Sequence, residues 1–328
     1  MASLTVLLPN HNDAERLPRA LGAILSQSRP AERVLVIDDA STDDSRAVVR
    51  GLQRENRNLA MVELPKNIGV SDAVQAGLAQ ADTTHVYGAA ADDLVLPGAF
   101  ERAMAWAERE PEAGCLCAAV EAVSMDGRRL AVQHDPAWSG ARPVRPDEAL
   151  AHFERMPAGF SLCTATVYRR DAMASAGGYR DELGPWSDTF LARTLALRHG
   201  MVYLAEPGAQ WTVDPGSYYH RTRTDAGEMR RIGERVYGLM RSAEFAELFP
   251  QDHADRWLAR WNVEMTGVID GPPTSLVRRE LHELRRAYAL ASRGGKGIDR
   301  VVGGVLRLAL RVKDRGGSGG SAPSQGDK

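Results

Sequence analysis

Apolar strand segments alternate with helical segments through the first third of this 328-residue chain, and this alternation most constrains the fold. Strands are expected at residues 4–8, 33–37, 59–64 and 84–90, with helices between them. The first helix would begin at Asp13, the third would have Ser71 as its N-cap, and a later helix would span about residues 187–199. Such alternation predicts an α/β domain, with a mostly parallel sheet and helices on both of its faces. In open sheets of this kind, ligands bind outside the carboxyl ends of the strands.

Two of these strands end in a pair of adjacent aspartates. Asp38 and Asp39 follow the second strand, and Asp92 and Asp93 follow the fourth. Charges beside apolar runs are costly to bury without compensation, and carboxylate oxygens suit Mg²⁺ or Mn²⁺. One such pair is more often a turn or a helix N-cap, which is our interpretation of the pair at 43–44. Two pairs at one sheet edge predict an anionic, metal-bound ligand.

The composition indicates a globular protein without a nucleic-acid partner. The hydrophobic fraction is 44%, and the formal net charge of −2 gives no general attraction to nucleic acid. The three cysteines fit no disulfide or metal pattern, so a reducing compartment is expected. A strand that starts at Leu4 leaves no room for a signal peptide, and no long apolar run predicts a membrane span. We therefore expect a cytoplasmic protein.

Glycine-rich phosphate loops are missing where other α/β enzymes need them. A dinucleotide-binding domain requires Gly-x-Gly-x-x-Gly after its first strand, where this chain has Pro9-Asn10-His11-Asn12. The Gly-Lys-Ser/Thr of a P-loop is also missing. Phosphate would then be held by a metal and by side chains, which favours a sugar-nucleotide site.

Five motifs, in order along the chain, resemble family 2 glycosyltransferases with the GT-A fold. They are Val6–Asn12, Val36–Asp43, Asn67–Gly69, Ala90–Asp93, and Gly177–Tyr179 followed by Trp186–Arg193. The likeness covers about residues 3–220. It implies an inverting, Mg²⁺- or Mn²⁺-dependent enzyme of polysaccharide biosynthesis at the cell envelope. Such an enzyme moves a sugar from a nucleotide-sugar donor to a saccharide, glycolipid or protein acceptor.

The resemblance also implies roles for residues on the nucleotide side. Pro9 and His11 would border the nucleobase, and Asn67 would belong to the same nucleotide site. Asp39 would accept a hydrogen bond from the base or the ribose. Asp38 would do the same, or would merely orient the turn.

On the sugar side, the resemblance implies that Asp93 coordinates the metal bridging the two phosphates, with Asp92 beside it on the sugar or ribose. Asp188 would be the general base for the acceptor hydroxyl. The alternative is that Asp188 only interacts favourably with the dipole at the N-terminus of its helix. Trp186 would offer a face for sugar, or would be a core residue. Asp214 stands where the family usually has His, and would be a further metal ligand or a sign of altered donor handling.

Other positions depart from the family pattern. Ala89–Ala91 replace an acid that commonly precedes the metal ligand, Gln75 stands for Asn, and Ser187 stands for Glu. His220 would substitute for the missing His, or would be an ordinary surface residue. These departures support an alternative function, a catalytically silent protein that binds nucleotide sugars. A nucleotidyltransferase is disfavoured because it would need a glycine-rich loop and an activating Lys.

The sequence predicts a GT-A domain over 1–220, with a nucleotide-binding half at 1–113 and an acceptor half at 114–220. A helical region at 221–315 and a disordered tail at 316–328 would follow. Trp257 and Trp261, four residues apart in that region, would pack helices together rather than bind sugar. Residues 277–315 carry eleven Lys or Arg against four Asp or Glu. The stretch 298–315 resembles a basic amphipathic helix, which would contact the inner face of a membrane peripherally. The alternative is packing on the domain, or on a second subunit of a homo-oligomer.

Overall fold

The computed structural model describes residues 1–135, 137–158 and 163–266. Its strands are β1 (Leu4–Asn10), β2 (Arg33–Asp38), β3 (Leu59–Glu63), β4 (His85–Gly88), β5 (Leu94–Val95), β6 (Cys115–Ser124), β7 (Arg129–Gln133), β8 (Arg142–Val144), β9 (Thr166–Arg169) and β10 (Met201–Val213). Its α-helices are α1 (Leu17–Leu25), α2 (Ser45–Gln53), α3 (Val70–Leu78), α4 (Ala99–Arg109), α5 (Pro146–Phe153), α6 (Arg170–Ser175), α7 (Ser187–His199), α8 (Tyr218–Thr224), α9 (Ala226–Met240) and α10 (Gln251–Trp261). Short 3₁₀ segments lie at Cys163–Ala165 and Asp181–Trp186.

Within these residues, ten strands form one sheet in the order β3-β2-β1-β4-β9-β6-β10-β5, with β7 beside β6 and β8 beside β10. The first four strands in that order are parallel, as are β6 and β10. Strand β9 runs antiparallel between β4 and β6. The predicted α/β class with a mostly parallel sheet is confirmed. The carboxyl ends of β1, β2 and β4 therefore meet at one edge.

Two helix starts differ from the sequence predictions. Helix α1 begins at Leu17 rather than Asp13, because the carbonyl of Asp13 first closes a turn by accepting the N–H groups of Arg16 and Leu17. Helix α3 was expected to have Ser71 as its N-cap, but Gly69 is the N-cap, with a φ of 89°. A positive φ suits glycine, so the N-cap lies two residues earlier than expected. Helix α7 has its expected bounds.

The helical segment after the sheet packs through tryptophans. Trp257 and Trp261 of α10 stack with ring centroids 5.1 Å apart. The Nε1–H of Trp261 donates to the carbonyl of Met229 in α9 at 2.8 Å. A Cβ added at Gly233 would lie 2.4 Å from the Trp261 ring, so only glycine allows this approach. The expectation that these tryptophans join helices agrees with this packing.

No helix among the described residues is both long and apolar enough to cross a bilayer. The basic segment 277–315, the amphipathic stretch 298–315 and the tail 316–328 lie outside the described residues. The contacts expected of them, and the division of the chain into domains, stay predictions.

Candidate active site

The turns that follow β1 and β2 are tied together by side-chain hydrogen bonds. The Nδ1–H of His11 donates to the carbonyl of Asp39 at 2.7 Å. The Oδ1 of Asn12 accepts the N–H of Thr42 at 2.8 Å, and the N–H of Asn12 donates to Ser41 Oγ at 3.1 Å. His11 and Asn12 are themselves exposed. These hydrogen bonds fix the two turns relative to each other and leave the His11 side chain exposed to solvent.

Asp38 is buried and surrounded by donors. Its carboxylate accepts hydrogen bonds from Asn10 Nδ2 (3.2 Å), the Ser41 N–H (3.1 Å) and Arg46 Nε (2.6 Å). Burial alone would raise the pKa of Asp38, but these hydrogen bonds together hold it below the ordinary value. This environment supports the alternative in which Asp38 orients the turn.

Asp39 connects the end of β2 to the loop that leads into α3. Its two carboxylate oxygens accept the backbone N–H groups of Ile68 (2.7 Å) and Gly69 (2.9 Å). Asn67 is exposed in the same loop, and its Oδ1 accepts the Gly69 N–H at 3.2 Å. Pro9 lies within β1, in register with Ile37 of β2. The residues expected around a nucleotide are therefore brought to one edge of the sheet.

Asp92 and Asp93 have far fewer donors. The Thr212 N–H of β10 donates to Asp93 Oδ1 at 2.9 Å, and Thr212 Oγ1 donates to the carbonyl of Asp92 at 2.5 Å. Burial, and then the charge of Asp92, raise the pKa of Asp93 well above its ordinary value. Burial also raises the pKa of Asp92. Two half-buried carboxyls that disfavour their own charge mark a place where a cation would be stabilised.

Two further acids and one arginine join this group. Arg16 Nη2 lies 3.1 Å from Asp214 Oδ2, and Arg16 Nη1 lies 3.3 Å from Asp13 Oδ1. Asp214 is close enough to Asp92 to raise the pKa of that carboxyl. The sequence did not predict Asp13 and Arg16 as site residues. Their position just after the first motif was the only sequence feature that indicated such a role.

The carboxylates at this edge suit a divalent cation whose remaining ligands come from a substrate. Among the described residues, no group of three or more His, Cys, Asp or Glu side chains is arranged to enclose a metal. Mg²⁺ commonly binds through one or two carboxylates together with substrate phosphates and water. Asp93 and the adjacent Asp92 would meet that requirement.

Asp188 lies in the first turn of α7. Its half-buried Oδ1 accepts the Thr189 N–H at 2.5 Å, and burial raises its pKa from 3.8 to about 6. The Asp188 charge in turn contributes to the raised pKa of the Tyr168 and Tyr179 phenols. A Cβ added at Gly88 would lie 2.9 Å from the Tyr179 hydroxyl. Tyr179 therefore joins the base candidate to the end of β4, just before the Asp92-Asp93 pair.

The sequence profile described as glycosyl transferase family 2 matches residues 5–176, more than half of the chain. The chain belongs to glycosyl transferase family 2. An amylovoran biosynthesis glycosyltransferase, AmsE of Erwinia amylovora, is 27% identical over 207 residues, which are 63% of this chain and 74% of the relative. Other curated relatives align over a smaller share of their own length, 57% or less.

Solved structures show the same fold for this family 2 chain. Residues 1–349 of S. aureus TarS in complex with UDP-GlcNAc give a TM-score of 0.59 at 16% identity, over 94% of this chain and 88% of that one. The mannosyltransferase PcManGT from Pyrobaculum calidifontis, in complex with GDP-Man and Mn²⁺, gives 0.58 at 20% identity, over 95% and 86%. The predicted GT-A fold and the glycosyltransferase assignment are confirmed.

Trp186 does not offer this glycosyltransferase a surface for sugar. Its ring is 3% exposed and packs between Tyr219 and Trp261, at centroid distances of 5.4 and 5.1 Å. The core alternative is therefore the one that agrees with the structure. His220 stacks on Trp211 at 5.9 Å, and its Nδ1 lies 3.1 Å from Ser217 Oγ.

Two departures from the family pattern hold the fifth motif, Gly177–Tyr179 with Trp186–Arg193, in place. The Nε2–H of Gln75 donates to the Gly177 carbonyl at 2.9 Å, and a Cβ added at Gly178 would collide with Gln75. Ser187 Oγ accepts the Arg180 N–H at 2.5 Å. Both side chains bind the backbone of the segment between α6 and α7, so they support the path of the chain that leads to Asp188.

Proposed function

We propose that this chain is a divalent-metal-dependent, inverting glycosyltransferase that uses Asp188 as the general base. The observation that carries the proposal is the burial that raises the pKa of Asp188 to about 6, next to Tyr179, whose phenol is affected by the Asp188 charge. A carboxylate with a pKa near the working pH can accept a proton and still be largely ionised. The close approach of Tyr179 to Gly88 connects Asp188 to the end of β4, the strand that precedes the Asp92-Asp93 pair.

In the proposed reaction, Asp188 takes the proton of the acceptor hydroxyl as that oxygen attacks the anomeric carbon. Attack opposite to the departing diphosphate inverts the anomeric centre. A cation held by Asp93, with Asp92 beside it, would supply positive charge for the leaving diphosphate. Pro9 and His11 would border the nucleobase, and Asp39 would accept a hydrogen bond from the base or the ribose, with Asn67 at the same edge.

The relatives support the ligand classes. Structures of fold neighbours contain UDP-GlcNAc in one case, and GDP-Man with Mn²⁺ in the other. The Erwinia relative is named for polysaccharide biosynthesis. We infer a nucleotide-sugar donor, Mg²⁺ or Mn²⁺, and a saccharide or lipid-linked saccharide acceptor. Cytoplasmic location and peripheral contact with the inner face of the membrane belong to the same proposal.

The donor test is a melting-temperature screen of UDP, GDP, dTDP and CDP, with and without Mn²⁺. One nucleotide is expected to raise the melting temperature more in the presence of Mn²⁺, since a ligand that binds only the folded state stabilises it. The matching nucleotide sugars are then tested for hydrolysis and for transfer to oligosaccharides. Binding without turnover of any donor would favour the silent nucleotide-sugar-binding protein. A wild-type protein that binds no nucleotide would contradict both functions.

A further inference from the structure

The guanidinium of Arg16 lies among the carboxylates at the strand edge. It contacts Asp214 at 3.1 Å and Asp13 at 3.3 Å. Its charge also lowers the pKa of Asp92, against the larger effect of burial. Arg16 thus supplies positive charge where the proposed function requires a diphosphate and a cation to meet.

The backbone at the start of α1 is already engaged. The N–H groups of Arg16 and Leu17 both donate to the Asp13 carbonyl at 3.0 Å. The Ala14 N–H donates to Asp43 Oδ2 at 3.0 Å. These amides are therefore not aimed at an incoming anion, and the Arg16 side chain is the donor that this turn presents.

The ion pairs of Arg16 with Asp13 and Asp214 can be broken at little cost in free energy. The side chains of Arg16, Asp13 and Asp214 are 43%, 32% and 14% exposed, and ion pairs near solvent are weak. Asp214 has a second anchor, because its Oδ1 accepts the Gly216 N–H at 2.7 Å. The Asp214 carboxylate therefore keeps its position when Arg16 leaves it.

We propose that Arg16 binds the diphosphate of the donor, turning from Asp214 to the phosphate oxygens as the donor enters. The planar guanidinium matches phosphate oxygens in a bidentate manner, and the turn between β1 and α1 has no glycine that would let backbone N–H groups do so. The inference rests on the proposed function and names one of its binding groups.

The test compares nucleoside diphosphate with nucleoside monophosphate binding by calorimetry, using UDP and UMP or the pair with the base that the screen selects. Arg16→Gln is expected to weaken diphosphate binding about tenfold or more, the effect of a lost charge-assisted hydrogen bond, and to leave monophosphate binding within about twofold. Arg16→Lys is expected to recover part of the loss. Arg19→Gln, an exposed arginine on the same helix, is the matched control and is expected to bind both like wild type.

Asp214→Asn separates a ligand role from a structural one. Without metal, this variant frees Arg16 and is expected to bind diphosphate about twofold or more tighter than wild type, since less competition remains. If Arg16 only supports the fold, Arg16→Gln lowers the melting temperature while the ratio of diphosphate to monophosphate affinity stays that of wild type, which overturns the inference alone. A wild-type protein that binds neither nucleotide overturns the proposed function and this inference together.

Discussion

The pairs Asp38-Asp39 and Asp92-Asp93 are the same dipeptide at the same edge of the sheet, but their surroundings are opposite. Asp38 accepts hydrogen bonds from Asn10, Ser41 and Arg46, and its pKa is lowered. Asp93 accepts the Thr212 N–H, and its pKa is raised well above the ordinary value by burial and by Asp92. The protein itself supplies the hydrogen bonds of Asp38, whereas Asp93 is arranged for a ligand that brings positive charge.

Asp188 extends this comparison, because burial raises its pKa as well. An acid that accepts several hydrogen bonds from the protein, as Asp38 does, holds the local structure in place. An acid with few hydrogen-bond donors around it is available for catalysis or for binding a cation. Stability and activity should therefore respond in opposite ways to amide substitutions in the two groups.

Asp188→Asn is expected to lower kcat by about 10²- to 10⁴-fold, the usual contribution of a general base. The anion is the reactive form, so wild-type kcat/KM should fall about tenfold per pH unit below pH 6, and the variant should lose this dependence. The folded-state pKa lies above the unfolded value of 3.8, so ionisation of Asp188 destabilises the protein as the pH rises from about 4 to 6. At pH 7 the variant is thus expected to be more stable by about 1–3 kcal/mol in urea unfolding.

Asp171→Asn is the matched control for Asp188→Asn, since Asp171 is also an acid in the first turn of a helix, α6. It should keep wild-type transfer and the wild-type pH profile. Equal losses in both variants would mean that Asp188 acts only on the helix dipole. Transfer that survives Asp188→Asn would remove the base assignment.

Asp93→Asn is expected to lower kcat/KM by about 10²- to 10³-fold, because it removes charge stabilisation of the leaving diphosphate. The Mn²⁺-dependent rise in melting temperature with nucleotide should disappear. Without metal the variant should melt no lower than wild type, since an amide in place of a strained buried charge is no loss. Asp82→Asn changes an exposed acid near the opposite end of β4 and should leave all three measurements unchanged. A Mn²⁺ response that persists in Asp93→Asn would place the cation elsewhere.

Asp38→Asn should show the reverse pattern, with a loss of stability rather than of chemistry. The variant breaks a 2.6 Å contact with Arg46, and hydrogen bonds to charged groups contribute about 1.5–3 kcal/mol. A loss of that size in urea unfolding at pH 7 is expected, and it should shrink as the pH falls below 3.8, where wild-type Asp38 also becomes protonated. Asp44→Asn is the control, because the Asp44 side chain forms no cap hydrogen bond. If Asp38→Asn is as stable as this control, the local structure does not depend on Asp38.

The architecture was predictable because its signals are local. Alternation of apolar segments predicts the parallel strands, and the start of α7 follows from helical spacing over a few residues. The two acidic pairs were also placed at one edge by the general behaviour of parallel sheets. Their difference was not predictable, because the deciding partner of Asp93 is Thr212, 119 positions away.

The same limit explains the other surprises. Arg16 and Asp214 are 198 positions apart, and no periodicity connects them. The ring of Trp186 is covered by Tyr219 and Trp261, which belong to helices that follow the matched family region. Contacts of this kind depend on how elements distant in sequence pack. Residue types alone therefore could not decide whether Trp186 is a core residue or a surface for sugar.

Ala40→Gly tests the local structure around Asp38 and Asp39 and has the smallest expected effect. Ala40 follows the first pair with a φ of 56°, a left-handed conformation that costs a side chain about 1–2 kcal/mol. Glycine relieves that strain but adds about 0.4–1 kcal/mol of unfolded-state entropy, so the variant should gain about 0–1.6 kcal/mol in the free energy of unfolding. Ala47→Gly, at an exposed position inside α2, should instead lose about 1 kcal/mol. The hydrogen bonds of the neighbouring Asp38 and Asp39 are expected to impose the strained conformation of Ala40. A loss of stability in Ala40→Gly as large as that in Ala47→Gly would contradict this expectation.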